Sequence, residues 1–332
     1  MTTISDVAAA AGVSVATVSR VINGNANVSP ETLAKVTKAI QDLNYRPNLL
    51  GRDLRRTKSE RVLVLLPNIS NPFYSEIVKG IEDVANRNGY SIMLCNTDSD
   101  IKREKKYVKM LKTRLADGAI LMASEMSCEE LTELSKELSI VQCCEYKEGV
   151  PLPHVSIENE KAAYKATNHL ISLGHRKIAF IGADNQFLSS NLRETGYKRA
   201  LSDAGIEIKP AYICYGNYSY KSGFRNMKRL LDLPDRPTAV FCVSDVMAIG
   251  AIRSAMEENL KVPDDLAVCG FDNIHFSWMF NPSITTISQP MYDLGCTAME
   301  ALINIIEGKS SEIVNYFLEY ELIVRSSTLK GY

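Results

Sequence analysis

The chain has 332 residues, 45% of them hydrophobic and 23% charged, with a net charge of −1, the make-up of an ordinary globular protein of about two domains. No apolar run reaches the ~18 residues a membrane helix needs, and the N-terminus lacks the basic-then-apolar order of a secretory signal; a cytoplasmic protein with no membrane partner is expected. Eight cysteines form no C-x-x-C pair and four histidines show no zinc spacing, so buried reduced thiols are expected, with no metal and no other cofactor.

The small net charge hides an asymmetry. Residues 1–58 hold eight basic and four acidic residues, net +4, leaving 30 basic and 35 acidic residues beyond them, net −5. A basic head on an acidic body suits a protein whose head alone meets a polyanion.

Thr3 is placed to cap a short helix over Ile4–Ala11, and Gly12 supplies a tight turn. Ser14 then caps a second helix, which Asn23-Gly24 ends. On that helix Val18, Val21 and Ile22 share one face, while Val15, Ala16, Ser19 and Arg20 take the other. Two short helices about a glycine turn make the helix-turn-helix pattern, in which small outward residues let a helix sink into a DNA major groove. Arg20 is then the residue to bridge to guanine or phosphate. A helical hairpin that merely packs would show the same periodicity. Ser29-Pro30-Glu31 opens a third helix, and Leu33, Val36, Ile40 and Leu43 form its apolar stripe until Tyr45-Arg46-Pro47 ends it. From Asn48 to Arg56, Leu50 and Leu54 stand one turn apart among Arg52, Arg55 and Arg56. So short a helix without a core is unstable alone, and a flexible basic linker is the alternative.

From Arg61 the pattern changes to short apolar strands alternating with amphipathic helices: Val62–Leu66, Ser91–Cys95, Gly118–Met122, Ile140–Cys144, Val155–Ile157, Lys177–Ile181, Ala239–Val243 and Leu266–Phe271 read as strands. Such runs indicate parallel sheets covered on both faces, and roughly 270 residues of them exceed one core, so two α/β lobes are expected. Phosphate-loop, dinucleotide, nucleophile-elbow and zinc-protease signatures are all missing. Ligands of such sheets bind beyond the carboxyl ends of strands. Phe73 and Tyr74 follow the first strand, Arg193 follows a loop after Ile181-Gly182, and Asp272 ends a strand. An arginine and a carboxylate across a cleft can fork onto neighbouring hydroxyls, with aromatic faces stacking on a sugar ring or base. Packing at a helix start, a solvated charge and a helix cap are the plain alternatives.

The N-terminal runs Thr3-Ile4-Ser5-Asp6-Val7-Ala8, Ala11-Gly12-Val13-Ser14, Thr17-Val18-Ser19-Arg20-Val21 and Asn23-Gly24 resemble the DNA-binding head of the lactose-repressor (LacI/GalR) family. Val28-Ser29-Pro30-Glu31-Thr32 and Tyr45-Arg46-Pro47-Asn48 continue the likeness. The resemblance implies an all-α helix-turn-helix head over 1–46 and a hinge over 47–59. It implies an α/β two-lobed core, like a periplasmic binding protein, over 60–332. One lobe would comprise about 60–157 and 290–320, the other about 158–289 and 321–332. The chain would cross between lobes three times, the third near Ile287–Pro290, sending a helix from Met291 back to the first lobe. DNA contacts would come from Thr3, Ser14, Val15, Ala16, Thr17, Ser19, Arg20, Asn23, Asn27 and Tyr45. In the hinge, Arg52 and Arg55 would join them and Leu54 would wedge into the minor groove, with Gly51 where the family usually has alanine.

By the same resemblance Arg193 and Asp272 fall on recurring effector-binding positions, as do Ser244, Asp245 and Tyr218, with Phe73 and Tyr74 at the cleft. Phe187 and Ser189 occupy a loop where the purine-base branch usually has Arg and Thr, which counts against a free purine base, while Asn71-Pro72-Phe73-Tyr74-Ser75-Glu76 and Pro237-Thr238-Ala239-Val240-Phe241-Cys242 resemble the ribose- and nucleoside-sensing branches. The expected partners are a near-palindromic double-stranded operator, a small effector and a second copy of the chain. The segment Arg325–Tyr332 carries no heptad helix, against a tetramer-forming tail. Rival readings are control by a phosphoprotein co-regulator, a solute-binding protein and, last, an enzyme.

Overall fold

The computed structural model describes residues 2–22, 28–45, 58–184, 187–309 and 313–329. Asn23, Asn27, Arg52, Leu54 and Arg55, with nearly all of the hinge expected over 47–59, lie outside these residues. The chain separates into two compact units, one up to Ser59 and one from Glu60 onward.

The first unit holds helices α1 (Ile4–Ala11), α2 (Val15–Ile22) and α3 (Pro30–Asp42). Their ends are set by side chains. The Thr3 hydroxyl accepts the Asp6 N–H while the Asp6 carboxylate accepts the Thr3 N–H at 2.7 Å, a reciprocal cap. Gly12, at φ +66°, turns the chain left-handed after α1. Ser14 Oγ accepts the Thr17 N–H, and Ser29 Oγ accepts the Thr32 N–H ahead of Pro30. Val7, Ala8, Val18, Val36 and Ala39 are the buried core. Leu33, expected on the α3 stripe, is 47% exposed, because burial centres on Val36 and turns toward Ala39 instead. The helix also stops before the expected Tyr45-Arg46-Pro47 signal. Asn44, at φ +45°, adopts the left-handed conformation that ends helices.

The second unit begins with β1 (Arg61–Leu66), α4 (Phe73–Arg87), β2 (Ser91–Asn96), α5 (Ile101–Lys112) and β3 (Gly118–Leu121). It continues with α6 (Cys128–Ser135), β4 (Ile140–Cys143), β5 (His154–Ile157), α7 (Asn159–Ser172), β6 (Ile178–Ala183) and α8 (Leu188–Asp203). Then come β7 (Ile213–Gly216), α9 (Tyr220–Leu231), β8 (Ala239–Cys242), α10 (Asp245–Glu257), β9 (Ala267–Asp272) and α11 (His275–Met279). The last elements are β10 (Thr285–Ser288), α12 (Met291–Ile306), β11 (Tyr316–Leu318) and β12 (Glu321–Ile323).

Two six-stranded sheets result, in the orders β11-β5-β4-β3-β1-β2 and β12-β10-β9-β8-β6-β7. Among the described strands only the β10–β12 ladder is antiparallel. Each sheet starts one strand in from an edge, steps out to that edge, then returns past its start. Parallel crossovers are right-handed, so this reversal moves the following helices to the opposite face. Burial shows it in the first sheet. Val62, Val64 and Leu66 pack with Ile77, Ile81 and Val84 of α4, whereas Leu63 and Leu65 pack with Val108 and Leu111 of α5 and Leu131 of α6. The chain passes between sheets after β5, between β10 and α12, and between β11 and β12. The crossing near Ile287–Pro290 is therefore the second in chain order, not the third. Helix α12 then packs on α4, β3 and β4 of the first sheet. Among the described residues no single helix is long and apolar enough to cross a membrane.

Helix pairs approach at glycines. A Cβ on Gly80 of α4 would fall inside the van der Waals envelope of the Tyr292 carbonyl oxygen, and one on Gly295 of α12 inside that of Ile77. Gly223 of α9 and Gly250 of α10 repeat this reciprocal arrangement. Backbone faces backbone at these points, so no rotamer change can make room. Gly80→Ala should accordingly lose ~1–3 kcal/mol of stability from overpacking, read as a lower urea midpoint. An unchanged midpoint would show that α12 can slide off α4 at no cost.

Candidate functional site

Two surfaces carry the residues singled out in the sequence. At the start of α2 the cap Ser14 is exposed, and on the helix Val15, Ala16 and Arg20 are exposed, Thr17 and Ser19 are half-buried, and Val18 is turned fully inward. The Thr17 hydroxyl lies 2.9 Å from Ser14 Oγ and so belongs to the cap. Thr3 is exposed and Tyr45 half-buried against the three-helix core. What remains outward is a shallow face of small side chains with Arg20 as the long cation on α2. That is the profile of a helix able to seat in a groove about 12 Å wide.

The second surface is a cavity of about 830 Å³ between the two sheets. Its walls are residues at or just beyond strand ends: Pro67 after β1, Asp98 after β2, Met122 after β3, Cys144 after β4, Asn217 after β7, and Asp272 closing β9. Of the expected effector residues, Phe73, Tyr74, Phe187, Ser189, Arg193, Tyr218 and Asp272 all line it. Phe73 and Tyr74 meet edge-to-face with centroids 5.2 Å apart, where the Asn71 carboxamide oxygen accepts the Phe73 N–H and fixes the start of α4. Tyr218 Oη lies 2.7 Å from Ser190 Oγ.

Arg193 is a buried fork rather than a solvated charge. Its Nε donates to Asn159 Oδ1 at 2.9 Å and Nη1 to the Val243 carbonyl at 2.8 Å, while the guanidinium lies 3.8 Å from the centre of the Phe271 ring. Asp272 Oδ1 sits 3.8 Å from Arg193 Nη1 and accepts Gln289 Nε2–H at 2.8 Å. Burial pushes the Asp272 carboxyl up to about 7, against the pull of Arg193 and Gln289.

Ser244 and Asp245 do not line the cavity. Ser244 is the cap of α10, its hydroxyl turned back to accept the Met247 N–H. Asp245 is fully buried behind the wall, where Oδ2 accepts the Ile274 N–H beneath the Asp272-Asn273 turn. Their neighbour Val246 reaches the cavity in their place. Glu145, absent from the residues expected on sequence, follows β4 and accepts the Ser189 N–H at 3.2 Å, reaching from the first sheet to the start of α8 in the second. Burial raises its carboxyl too, with the hydroxyl and N–H of Ser189 drawing it back. It stands at a strand end just as Asp272 does, so the same rule would have found it.

Backbone strain gathers here. Asp98, Ser99, Cys144, Tyr218 and Asp272 are non-glycine residues at positive φ, and all five line the cavity. Such conformations cost energy and persist where the surrounding structure enforces them, commonly at ligand sites.

The family model for bacterial regulatory proteins of the lacI family matches residues 3–48, and that for periplasmic binding proteins and the sugar-binding domain of the LacI family matches residues 59–321. The chain belongs to the LacI family. Like its relatives, this LacI-family member is a DNA-binding transcriptional regulator with a helix-turn-helix head and a ligand-binding core. It is 43% identical to the HTH-type transcriptional regulator RegA of Clostridium saccharobutylicum, over 99% of each chain. The lac repressor dimer bound to operator and the anti-inducer ONPF superimposes with a TM-score of 0.87 at 29% identity, covering 99% of each chain. The complex of the transcriptional regulator CelR with cellobiose gives a TM-score of 0.75 at 32% identity, covering 98% of this chain and 100% of that one. These relatives are regulators, not enzymes.

The raised Asp272 carboxyl has a consequence for the effector-free LacI-family core. Arg193, Gln289, Tyr74, Tyr218, Cys144, Glu145 and Asp245 surround or act on it. Unfolded, the group titrates near 3.8; folded, near 7. Between these values the folded chain holds a proton the unfolded chain has released, so this stability is complete below pH 4 and lost as pH rises through 7. Asp272→Asn, uncharged and tolerant of positive φ, should therefore melt higher than wild type at pH 8 and nearly equal to it at pH 4, with an intermediate margin between. Equal differences at both pH values would mean that Asp272 ionises as an ordinary surface carboxylate.

Proposed function

We propose that this regulator is a cytoplasmic repressor which binds a near-palindromic operator as a homodimer and is controlled by a small sugar or nucleoside in the inter-sheet cavity. The observation that carries this reading is the cavity itself: a held arginine and a carboxylate at one end, aromatic rings from both lobes, and strand-end loops of both sheets around it. The lac repressor neighbour is a dimer on operator, and the CelR neighbour holds cellobiose, which supports both partners. A second copy would find apolar surface ready, since Phe276, Trp278 and Met279 on α11 are each more than half exposed, at 55%, 55% and 58%. Any effector acts only through unequal affinity for two lobe arrangements, because equal affinity shifts no equilibrium.

Two measurements test the reading once the operator has been selected from random duplex DNA. Arg20→Ala should weaken operator binding by ~1–3 kcal/mol if the guanidinium makes a two-pronged base contact; unchanged gel-shift affinity would remove α2 from the recognition role. Arg193→Ala should retain operator affinity yet lose the response to the effector, measured by calorimetry beside the same DNA titration. Effector binding as tight as wild type would place the ligand outside this cavity.

A further inference from the structure

We propose that the cavity admits only unphosphorylated, neutral or positively charged ligands rich in O–H and N–H donors, and that Glu145 sets this limit. This rests on the reading of the cavity as the effector site and narrows the ligand class within it.

Charge is the first argument. The described lining residues include five carboxylates, Asp98, Glu125, Glu145, Asp184 and Asp272, against one cation, Arg193. Asp98 is balanced at the rim by an ion pair with Arg103. The two deepest carboxylates, Glu145 and Asp272, are 9% and 5% exposed, and burial already raises both. A site that strains to hold its own negative charge is a poor host for a phosphate dianion, whose repulsion grows as the effective dielectric falls.

Position is the second argument. One place in this cavity suited to a phosphate is the N-terminus of α8, a 16-residue helix whose start lines the wall through Phe187 and Ser189. Glu145 occupies that place, accepting the Ser189 N–H with both carboxylate oxygens at 3.2 and 3.3 Å. Arg193 has two of its five N–H donors taken by Asn159 and Val243, and its charge is already faced by Asp272 at 3.8 Å. What the walls offer instead is acceptor oxygen from the carboxylates, while the side-chain oxygens of Asn68, Asn71 and Asn217 already accept within the chain. Hydroxyls and amines satisfy such a wall, whereas a fully ionised phosphate brings acceptors only.

Matched ligands separate the possibilities. Ribose with ribose 5-phosphate, glucose and glucosamine with glucose 6-phosphate, and cytidine and adenosine with their 5′-monophosphates would be titrated against the full-length protein by thermal shift and calorimetry. At least one unphosphorylated compound should bind, with its phosphorylated partner weaker by about tenfold or more. Glu145→Gln should narrow that gap by removing a charge, since the amide keeps an oxygen to accept the Ser189 N–H. Lowering the pH from 8 to 6 should narrow it in the wild type, since the phosphate and Asp272 both take up protons over that range, a reading that needs no variant to fold. Binding of a phosphorylated compound as tightly as its parent would overturn the proposal while leaving the effector cavity intact. A gap unchanged in folded Glu145→Gln would overturn the role of Glu145. If no compound binds in either form, the effector-site reading fails and this inference falls with it.

Discussion

A parallel sheet delivers the ends of all its strands to the same edge, and there the backbone must turn at once. In this core two such edges face a common space, and that constraint governs most of what the site contains. Turning sharply beyond a buried strand leaves little room for ordinary dihedral angles. Cys144 and Asp272, at the ends of β4 and β9, take positive φ instead. The same edges release Glu145 and Asp272 into an enclosed space before either can reach open water. Cavity, strain and raised carboxyls share one origin in the sheet topology.

The elements most legible in the sequence were those whose signal is local. Thr3, Ser14 and Ser29 cap helices as their spacing implies, and strands buried on both faces, such as β1, read as continuous apolar runs. Strands β7, β10, β11 and β12 escaped that reading. β7 shows alternating burial along Ile213–Gly216, and β11 and β12 are three-residue strands that are nowhere fully buried. Pairing with a distant neighbour defines them, and no window of adjacent residues records it.

The cavity was legible to the level of position but not direction. Strand-end reasoning found Arg193 and Asp272, yet it could not tell that the Ser244 hydroxyl turns back on its own helix while Asp245 points behind the wall. Side-chain direction depends on φ and on what lies behind, and both are tertiary facts. Leu33 teaches the same in the head, since a stripe fixes a helix face only to within about one residue's width.

The two held charges touch the chain at telling places. Arg193 donates to Asn159, two residues past the end of β5 and therefore just after the first crossing between sheets. Asp272 accepts from Gln289, which lies on the second crossing itself. A carboxylate that shares its lone pairs with a newcomer's hydroxyls loosens its hold on a resident amide, and a guanidinium drawn forward drags its anchor. The connecting strands are thus tethered to the floor of the space they enclose, one by a cation and the other by an anion.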